Sequence, residues 1–443
     1  MLTRRRKKLT IALVSDFFCP NTGGVETHIY YLGECLLKRG HKVIVITHGY
    51  GKRQGIRYFT NGLKVYYLPF FSIYNSTTMA SIPGTIYWYR KIFLSEQVQI
   101  VHGHSSFSAM AHESMLHAWC LGIHTVFTDH SLFGFADASA ILTSKLLLQY
   151  SLINVDQTIC VSYTSKENTV LRAKLNPQKV SVIPNAIVKC MFQPDLEKFS
   201  QKPITVIVMS RLVYRKGSDL LVNIIPEVCS RHPTVRFVIA GDGPKRIPIE
   251  EMREKYKLHS RCEMVGMLPH NKVRDLLVRG HIFLNTSLTE AFCTSIVEAA
   301  TCGLHIVSTK VGGVPEVLPD DFITLAEPES YQLSEALLQA IHQLEIGKLI
   351  SPQERHDRMS PMYQWPSVAE RTEVVYYSAI NDRPGTIKER FKNYNNCGIA
   401  FGIFWLWFTV MDLLVIYLLD FFDPREKYTL SSLSSTKIKN KKL

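Results

Sequence analysis

Three short stretches of this chain carry residue types able to handle a phosphorylated ligand. Pro20-Asn21-Thr22-Gly23-Gly24-Val25-Glu26 follows an apolar run and opens a helical pattern. Two glycines at such a point let backbone N–H groups approach an anion at a helix N-terminus, although a plain strand-to-helix turn uses the same residues. In SRLVYRKG, Arg211 closes another apolar run and Lys216 follows it. Two cations at the carboxyl end of a strand can grip a diphosphate and offset the charge that develops as it leaves; alone, R-x4-K also reads as two surface charges. The third stretch is TEAFCTSIVEAATCG, with Glu290 ahead of a helix start, Glu298 in its second turn and a stop near Gly303. Cys293, Thr294 and Ser295 would present N–H groups at that start, again suited to phosphate. The two carboxylates could meet two different hydroxyl-bearing parts of one ligand, a solvated helix end being the alternative.

Other chemistries lack their residues. There is no GxxxxGK[ST] and no GxSxG elbow. No DxD occurs, which disfavours a carboxylate-held metal on a diphosphate. His112, Glu113 and His117 mimic a zinc motif, but the histidines are five apart and point about 140° apart on a helix, so no shared metal is expected.

These stretches need elements to position them. LTIALVS, KVIVIT, VQIVHGH and TVFTDH read as strands buried on both faces, and Ile29, Leu32, Leu36 and Leu37 form a helical stripe between the first two, with Gly40 as its stop. After Gln193 to Pro203 the pattern restarts: ITVIVMS, VRFVIAG, HIFLNTS and HIVSTK. Such alternation predicts an α/β fold of two Rossmann-like domains, residues 1–195 and 203–380, facing a cleft that lies outside the carboxyl ends of parallel strands. Trp365 to Tyr377 reads as a late helix.

The chain has 443 residues, 46% hydrophobic and 20% charged, which excludes a disordered or disulfide-scaffold protein. Its formal net charge of +13 suits nucleic acid, anionic membrane or a phosphorylated substrate. The basic residues are dispersed with no interleaved aromatic motif, which disfavours nucleic acid. The 10 cysteines form no CxxC pair and several sit in apolar stretches, as expected in a reducing cytosol, where the sequons at Asn75 and Asn285 would be unused. Leu9 to Val14 is too short for a signal-peptide core and reads as a strand; the basic lead-in Arg4 to Lys8 suits either lipid headgroups or a solvated tail.

From Cys397 to Leu419 the chain is apolar except for Asp412. As a helix this covers about 34 Å, enough for a bilayer core, and a transmembrane helix over 397–419 with a basic tail over 420–443 is expected. Arg383, Lys388, Arg390 and Lys392 on its N-terminal side place the large N-terminal part in the cytosol. Asp412 is costly against lipid and is expected to face a group on a neighbouring membrane subunit.

In order and spacing, GGVE (23–26), R-x4-K, AGDGP (240–244) and E-x7-E resemble the family-four retaining glycosyltransferases of GT-B fold, over residues 9–380. TDHSLFGF (128–135), SVIPNA (181–186) and TEAFCTSIVEA look in particular like the PIG-A class, the catalytic subunits of phosphatidylinositol N-acetylglucosaminyltransferase. Cys293 and Ala186 stand where the broader family commonly has glycine, as in that class.

That resemblance implies a donor, UDP-N-acetylglucosamine, and an acceptor, phosphatidylinositol, joined with retention at the first step of glycosylphosphatidylinositol-anchor synthesis. It implies that Glu298 holds the donor ribose, Glu290 the sugar hydroxyls, and Arg211 and Lys216 the leaving phosphate. Gly23 and Gly24 would close on the diphosphate, Thr294 and Ser295 would lie at its phosphates, and His130 would lie against the reacting sugar. No metal or other cofactor is expected. A single-pass protein of the endoplasmic reticulum with cytosolic catalytic domains and further membrane subunits as partners would follow. Another lipid-acceptor transfer, such as mannosyl transfer, and a non-catalytic scaffold remain the alternatives, because fold does not fix substrate.

Overall fold

The computed structural model describes residues 7–74, 76–79, 81–132, 148–199, 203–382, 385–396 and 399–428. Residues 133–135 of TDHSLFGF, Arg4 to Arg6, Asn75, Arg383, Cys397 and the tail beyond 428 lie outside these. The chain divides into two compact units. One comprises Met1–Val161, Lys166–Ile183 and Ala369–Leu443; the other comprises Ser162–Ser165 and Pro184–Val368.

In the first unit eight described strands form one sheet. Its spatial order is Val180–Val182, Gln157–Cys160, His124–Asp129, Ile100–His104, Thr10–Val14, Lys42–His48, Lys64–Leu68 and Gly55–Tyr58. Every pair is parallel except the last, which is antiparallel. The inner strands are apolar on both sides because helices cover both faces; Ile11, Leu13, Val45 and Val101 are fully buried. Helix Gly24–Lys38 packs through His28, Ile29, Leu32 and Leu36, close to the expected stripe. Asp16, just beyond the strand Thr10–Val14, organises the carboxyl edge. Its carboxylate accepts from the Ser108 hydroxyl (2.6 Å), the Met110 N–H (3.0 Å) and the Thr78 N–H (2.8 Å), which offsets the cost of burying it. Ser108 in turn caps helix Ala109–Cys120.

The second unit holds a six-stranded, wholly parallel sheet among the described residues. Its order is Cys262–Gly266, Arg236–Ala240, Thr205–Met209, Ile282–Asn285, His305–Thr309 and Ile323–Ala326. All carboxyl ends of a parallel sheet lie on one edge, so the loops after neighbouring strands emerge side by side. Asn285 is buried and its amide donates to the Ser308 hydroxyl (2.8 Å), which removes that sequon from any glycan.

The expected boundaries shift. The first unit passes to the second at Ile183/Pro184, before the polar stretch Gln193 to Pro203, and helix Trp365–Asn381 carries the chain back to the first unit from Ala369 onward. The returning segment is held by buried polar contacts: Tyr376 OH with His102 Nδ1 (2.8 Å), and Glu373 with His41 Nε2 (2.7 Å) and Arg39. Polarity and proline content marked a loop, but the break follows packing.

Helix Ile399–Phe422 contains a stretch, Gly402–Phe422, long and apolar enough to cross a membrane. Asp412 corrects the expectation made for it. It is fully buried within this chain, with Oδ2 2.6 Å from His117 Nδ1 on helix Ala109–Cys120. His117 therefore serves this contact, and Glu113 accepts from the Thr85 hydroxyl (2.9 Å) and the Ser81 N–H, so the zinc-like residues are used for packing.

Burial raises the Glu373 carboxyl, but the hydrogen bonds from Arg39 and His41 outweigh it and hold it below the usual glutamate range. Glu373→Ala is expected to destabilise the first unit by about 1–3 kcal/mol, since it strands two cationic or polar partners. The lowered pKa makes this contribution full above about pH 4.3 and lost as pH falls through the folded value. Thermal unfolding of wild type and variant in detergent at neutral and acid pH checks both the size and the sign.

Candidate active site

The second unit brings three of the expected residues to one sheet edge. Strand Thr205–Met209 pairs directly with Ile282–Asn285, so the loop carrying Arg211 and Lys216 leaves beside the loop carrying Glu290. Lys216 Nζ forms an ion pair with Glu290 Oε1, which also accepts from the Ser287 hydroxyl (2.8 Å). The Thr286 hydroxyl donates to the Lys216 carbonyl (2.9 Å), and the Glu290 carbonyl accepts from the Gly313 N–H (2.9 Å). The lysine and the glutamate are thus fixed by side chain and backbone alike.

The turn that aims Lys216 needs a particular residue after it. Gly217 has φ +63°, and a Cβ there would collide with the Thr286 carbonyl. A similar demand falls on Gly241 in AGDGP, at φ +132°, where a Cβ would strike the Ser210 carbonyl. That glycine lets the loop after Arg236–Ala240 press against the backbone that precedes Arg211, and Leu212 N–H donates to the Asp242 carbonyl (2.9 Å). Arg211 itself is exposed, and Lys216 is the cation on Glu290.

Helix Thr294–Thr301 begins at Cys293, which stands at the N-cap in extended conformation without a side-chain cap. Burial pushes the Cys293 thiol up to about 12, so it is a neutral group at this helix start. Thr294 and Ser295 occupy the first turn, where N–H groups and the helix dipole favour an anion. Glu298, one turn further, is nearly buried, and its Oε1 lies 3.2 Å from His270 Nε2. The hydrogen bond that His270 makes to the Glu298 carboxylate raises the His270 pKa. Sequence reading missed His270; its only signal was a place just beyond the strand Cys262–Gly266.

The first unit contains a separate group. Gly23 and Gly24 stand exposed at the start of helix Gly24–Lys38, and a Cβ built on Gly24 meets nothing within 4 Å. The Gly23 backbone is extended, so its glycine answers to space and approach rather than to strain. His28, one turn along the same helix, lies with its ring 4.7 Å from that of His130, which follows strand His124–Asp129. His104 Nδ1 is 3.3 Å from His130 Nε2, and His104 Nε2 is buried without a hydrogen-bond partner among the described residues. One nitrogen from each of His28, His104 and His130 lies within 4.8 Å of the others. Burial holds His104 and His130 well below the usual imidazole range, so these rings are neutral at pH 7 and able to exchange hydrogen bonds with hydroxyls or to ligate a metal. His28 and His104 were also missed. The first hid in a helical stripe, where its one-turn spacing from Gly24 was the available signal.

Two α/β units, each built on a parallel or largely parallel sheet with its polar residues at the carboxyl edge, have the architecture of the GT-B glycosyltransferase fold. Solved structures agree on the fold. Sucrose-phosphate synthase from Thermosynechococcus elongatus superposes with TM-score 0.70 at 19% identity, covering 84% of this chain and 99% of that one. Anabaena HepE in complex with UDP gives 0.64 at 15%, covering 84% and 100%. Residues 48–137 match the PIGA (GPI anchor biosynthesis) family and residues 192–357 match glycosyl transferases group 1. A phosphatidylinositol N-acetylglucosaminyltransferase subunit of Arabidopsis thaliana is 53% identical over 95% of this chain and 93% of its own length. The corresponding human subunit is 53% identical over 96% and 87%, and the Schizosaccharomyces pombe gpi3 subunit 51% over 93% and 90%. The chain belongs to this PIGA family of phosphatidylinositol N-acetylglucosaminyltransferase subunits, glycosyltransferases of glycosylphosphatidylinositol-anchor biosynthesis.

Removing a preorganised cation that acts on a departing phosphate costs about 10²-fold or more in turnover. Lys216→Ala is expected to lose transfer to that extent while the protein still reaches the membrane fraction. Near-normal turnover, measured with labelled donor at matched protein levels, would exclude Lys216 from the leaving-group site.

Proposed function

We propose that this protein transfers N-acetylglucosamine from UDP-N-acetylglucosamine to the inositol of phosphatidylinositol with retention of configuration, the first step of anchor synthesis. The observation that carries the reading is the Lys216–Glu290 pair on adjacent loops in a chain of this family. Glu298, backed by His270, takes the ribose hydroxyls of the donor. The N–H groups of Thr294 and Ser295 and the cations Arg211 and Lys216 take the diphosphate. Glu290 accepts from the sugar hydroxyls, and Lys216, already oriented by it, neutralises charge as the β-phosphate departs. In the other unit the helix start at Gly23 and Gly24 is proposed to serve a phosphate, and His130, kept neutral by burial beside His28 and His104, a sugar hydroxyl.

Retention fits attack on the face from which the phosphate leaves, with the departing oxygen taking the inositol proton, so no separate base is required. Lys216, held by Glu290, and the exposed Arg211 are proposed to supply the charge stabilisation that a carboxylate-held metal would otherwise give, and the reaction is proposed to need neither metal nor other cofactor. The protein is proposed to work on the cytosolic face of the endoplasmic reticulum, with further membrane subunits of the transferase as partners.

Membranes carrying the protein should convert labelled UDP-N-acetylglucosamine into a lipid whose inositol bears the sugar, and the activity should survive exhaustive EDTA treatment. Equal labelling from GDP-mannose or UDP-glucose would contradict the donor. Loss restored specifically by manganese or magnesium would contradict the charge-stabilisation scheme.

A further inference from the structure

The carboxyl edge of the first sheet carries an exposed apolar rim. Beyond strand Lys64–Leu68, Phe70 turns inward with its ring 6.1 Å from that of Tyr89, whereas Phe71 is 82% exposed. Ser72–Tyr74 and Thr77–Thr78 then pair as a short antiparallel hairpin, and Ile73 and Met79 are each more than half exposed. Phe107, just beyond strand Ile100–His104, is exposed on the same edge. The Thr78 N–H and the Ser108 hydroxyl meet on the Asp16 carboxylate, which brings their chain neighbours Met79 and Phe107 together. Scattered apolar side chains are ordinary on a surface, but four on one edge mark a contact.

This rim adjoins the glycine turn. The Asn21 amide donates to the Ser76 hydroxyl (2.7 Å) and so joins the turn Pro20 to Gly24 to the hairpin. From the other side, the Tyr67 hydroxyl donates to the Cys19 carbonyl (3.0 Å) and accepts from Arg53 (3.4 Å), whose guanidinium lies over the Tyr67 ring. Lys52 and Arg53 are both exposed, on the loop after strand Lys42–His48, which also leaves the carboxyl edge. One edge thus sets apolar side chains and two cations around a turn suited to phosphate.

We infer that Phe71, Ile73, Met79 and Phe107 receive the acyl chains of the lipid acceptor, and that Lys52 and Arg53 face its phosphodiester. The inference rests on the acceptor proposed above and says how a whole lipid is told from its headgroup. An anionic phospholipid is the occupant because its two halves, apolar chains and a negative diester, match the two halves of this surface. A protein seated on the rim would cover the edge where the glycine turn and His130 are proposed to meet substrate. All six residues lie within the stretch that matches the PIGA family and outside the one that matches glycosyl transferases group 1. An element that reads the acceptor belongs in the part particular to its family, because fold alone does not fix substrate.

The test uses the solubilised transferase with its other subunits, labelled UDP-N-acetylglucosamine, and phosphatidylinositol in dipalmitoyl and in dihexanoyl form. Wild type should show the lower KM for the dipalmitoyl lipid. The combined change Phe71→Ser, Ile73→Ser and Met79→Ser should raise that KM about tenfold or more and the dihexanoyl KM far less, with kcat and the donor KM held. Leucine at the same three positions should restore it, which separates lost apolar contact from lost folding. Lys52→Gln with Arg53→Gln should raise the KM of both lipids alike, since both carry the diester; unchanged values would remove the two cations from the site. An unchanged dipalmitoyl KM in the serine variant, or an equal rise for both lipids, would overturn the acyl assignment. Loss of a subunit from the complex in that variant would give the rim to a protein and overturn it equally. No labelling of either lipid by the wild type would instead refute the acceptor proposed above, and this inference with it.

Discussion

One carboxylate ties the second unit's active edge together. Glu290 accepts from Lys216 on one crossover loop and from Ser287 on its own, while its backbone carbonyl receives Gly313. Without it, the two loops that leave adjacent parallel strands would keep the Thr286 hydroxyl on the Lys216 carbonyl, but the lysine side chain would lose the group that orients it. The pair does not need to be strong in the stability sense, because partly exposed ion pairs contribute little. In the proposed mechanism its effect is to hold a charge in position before the ligand arrives, so that little reorganisation is left for the reaction itself.

The sheet explains why these residues could meet at all. Arg211, Lys216, Glu290 and Glu298 are spread over about ninety positions, yet parallel pairing delivers every following loop to one edge. The close-approach glycines then set the loops: Gly217 beside Thr286 and Gly241 beside Ser210. In the first unit the same topology places His104 at the end of one strand and His130 just beyond the end of its neighbour, and helix Gly24–Lys38 brings His28 to them. The glycine turn and the histidines are therefore one assembly, linked by a single turn of helix.

Much of this was legible in the sequence because local signals and tertiary demands agree. Strands such as KVIVIT and HIFLNT are β-branched and apolar throughout, as strands covered on both faces must be. The R-x4-K and E-x7-E spacings could be tied to strand ends and a helix start before any geometry was known. What escaped were contacts between distant segments. His270 on Glu298 and Tyr376 on His102 have no local pattern, since each is set by how the sheet and the returning chain pack. The return of the chain at Ala369 was hidden for the same reason. Asp412 was singled out correctly as an acid in need of a partner, but hydropathy along one segment cannot say that the partner lies in the same chain. His117, placed on an unpromising zinc-like motif, supplied the answer.

The central claim is that Lys216 and Glu290 act as one catalytic unit, and a double-mutant cycle on turnover addresses it most directly. Lys216→Met, Glu290→Gln and the double variant would be compared with wild type at saturating UDP-N-acetylglucosamine. Residues acting as a unit are strongly non-additive, so the double variant is predicted to lose scarcely more than the worse single variant. Losses that simply multiply would show two independent groups and contradict the account.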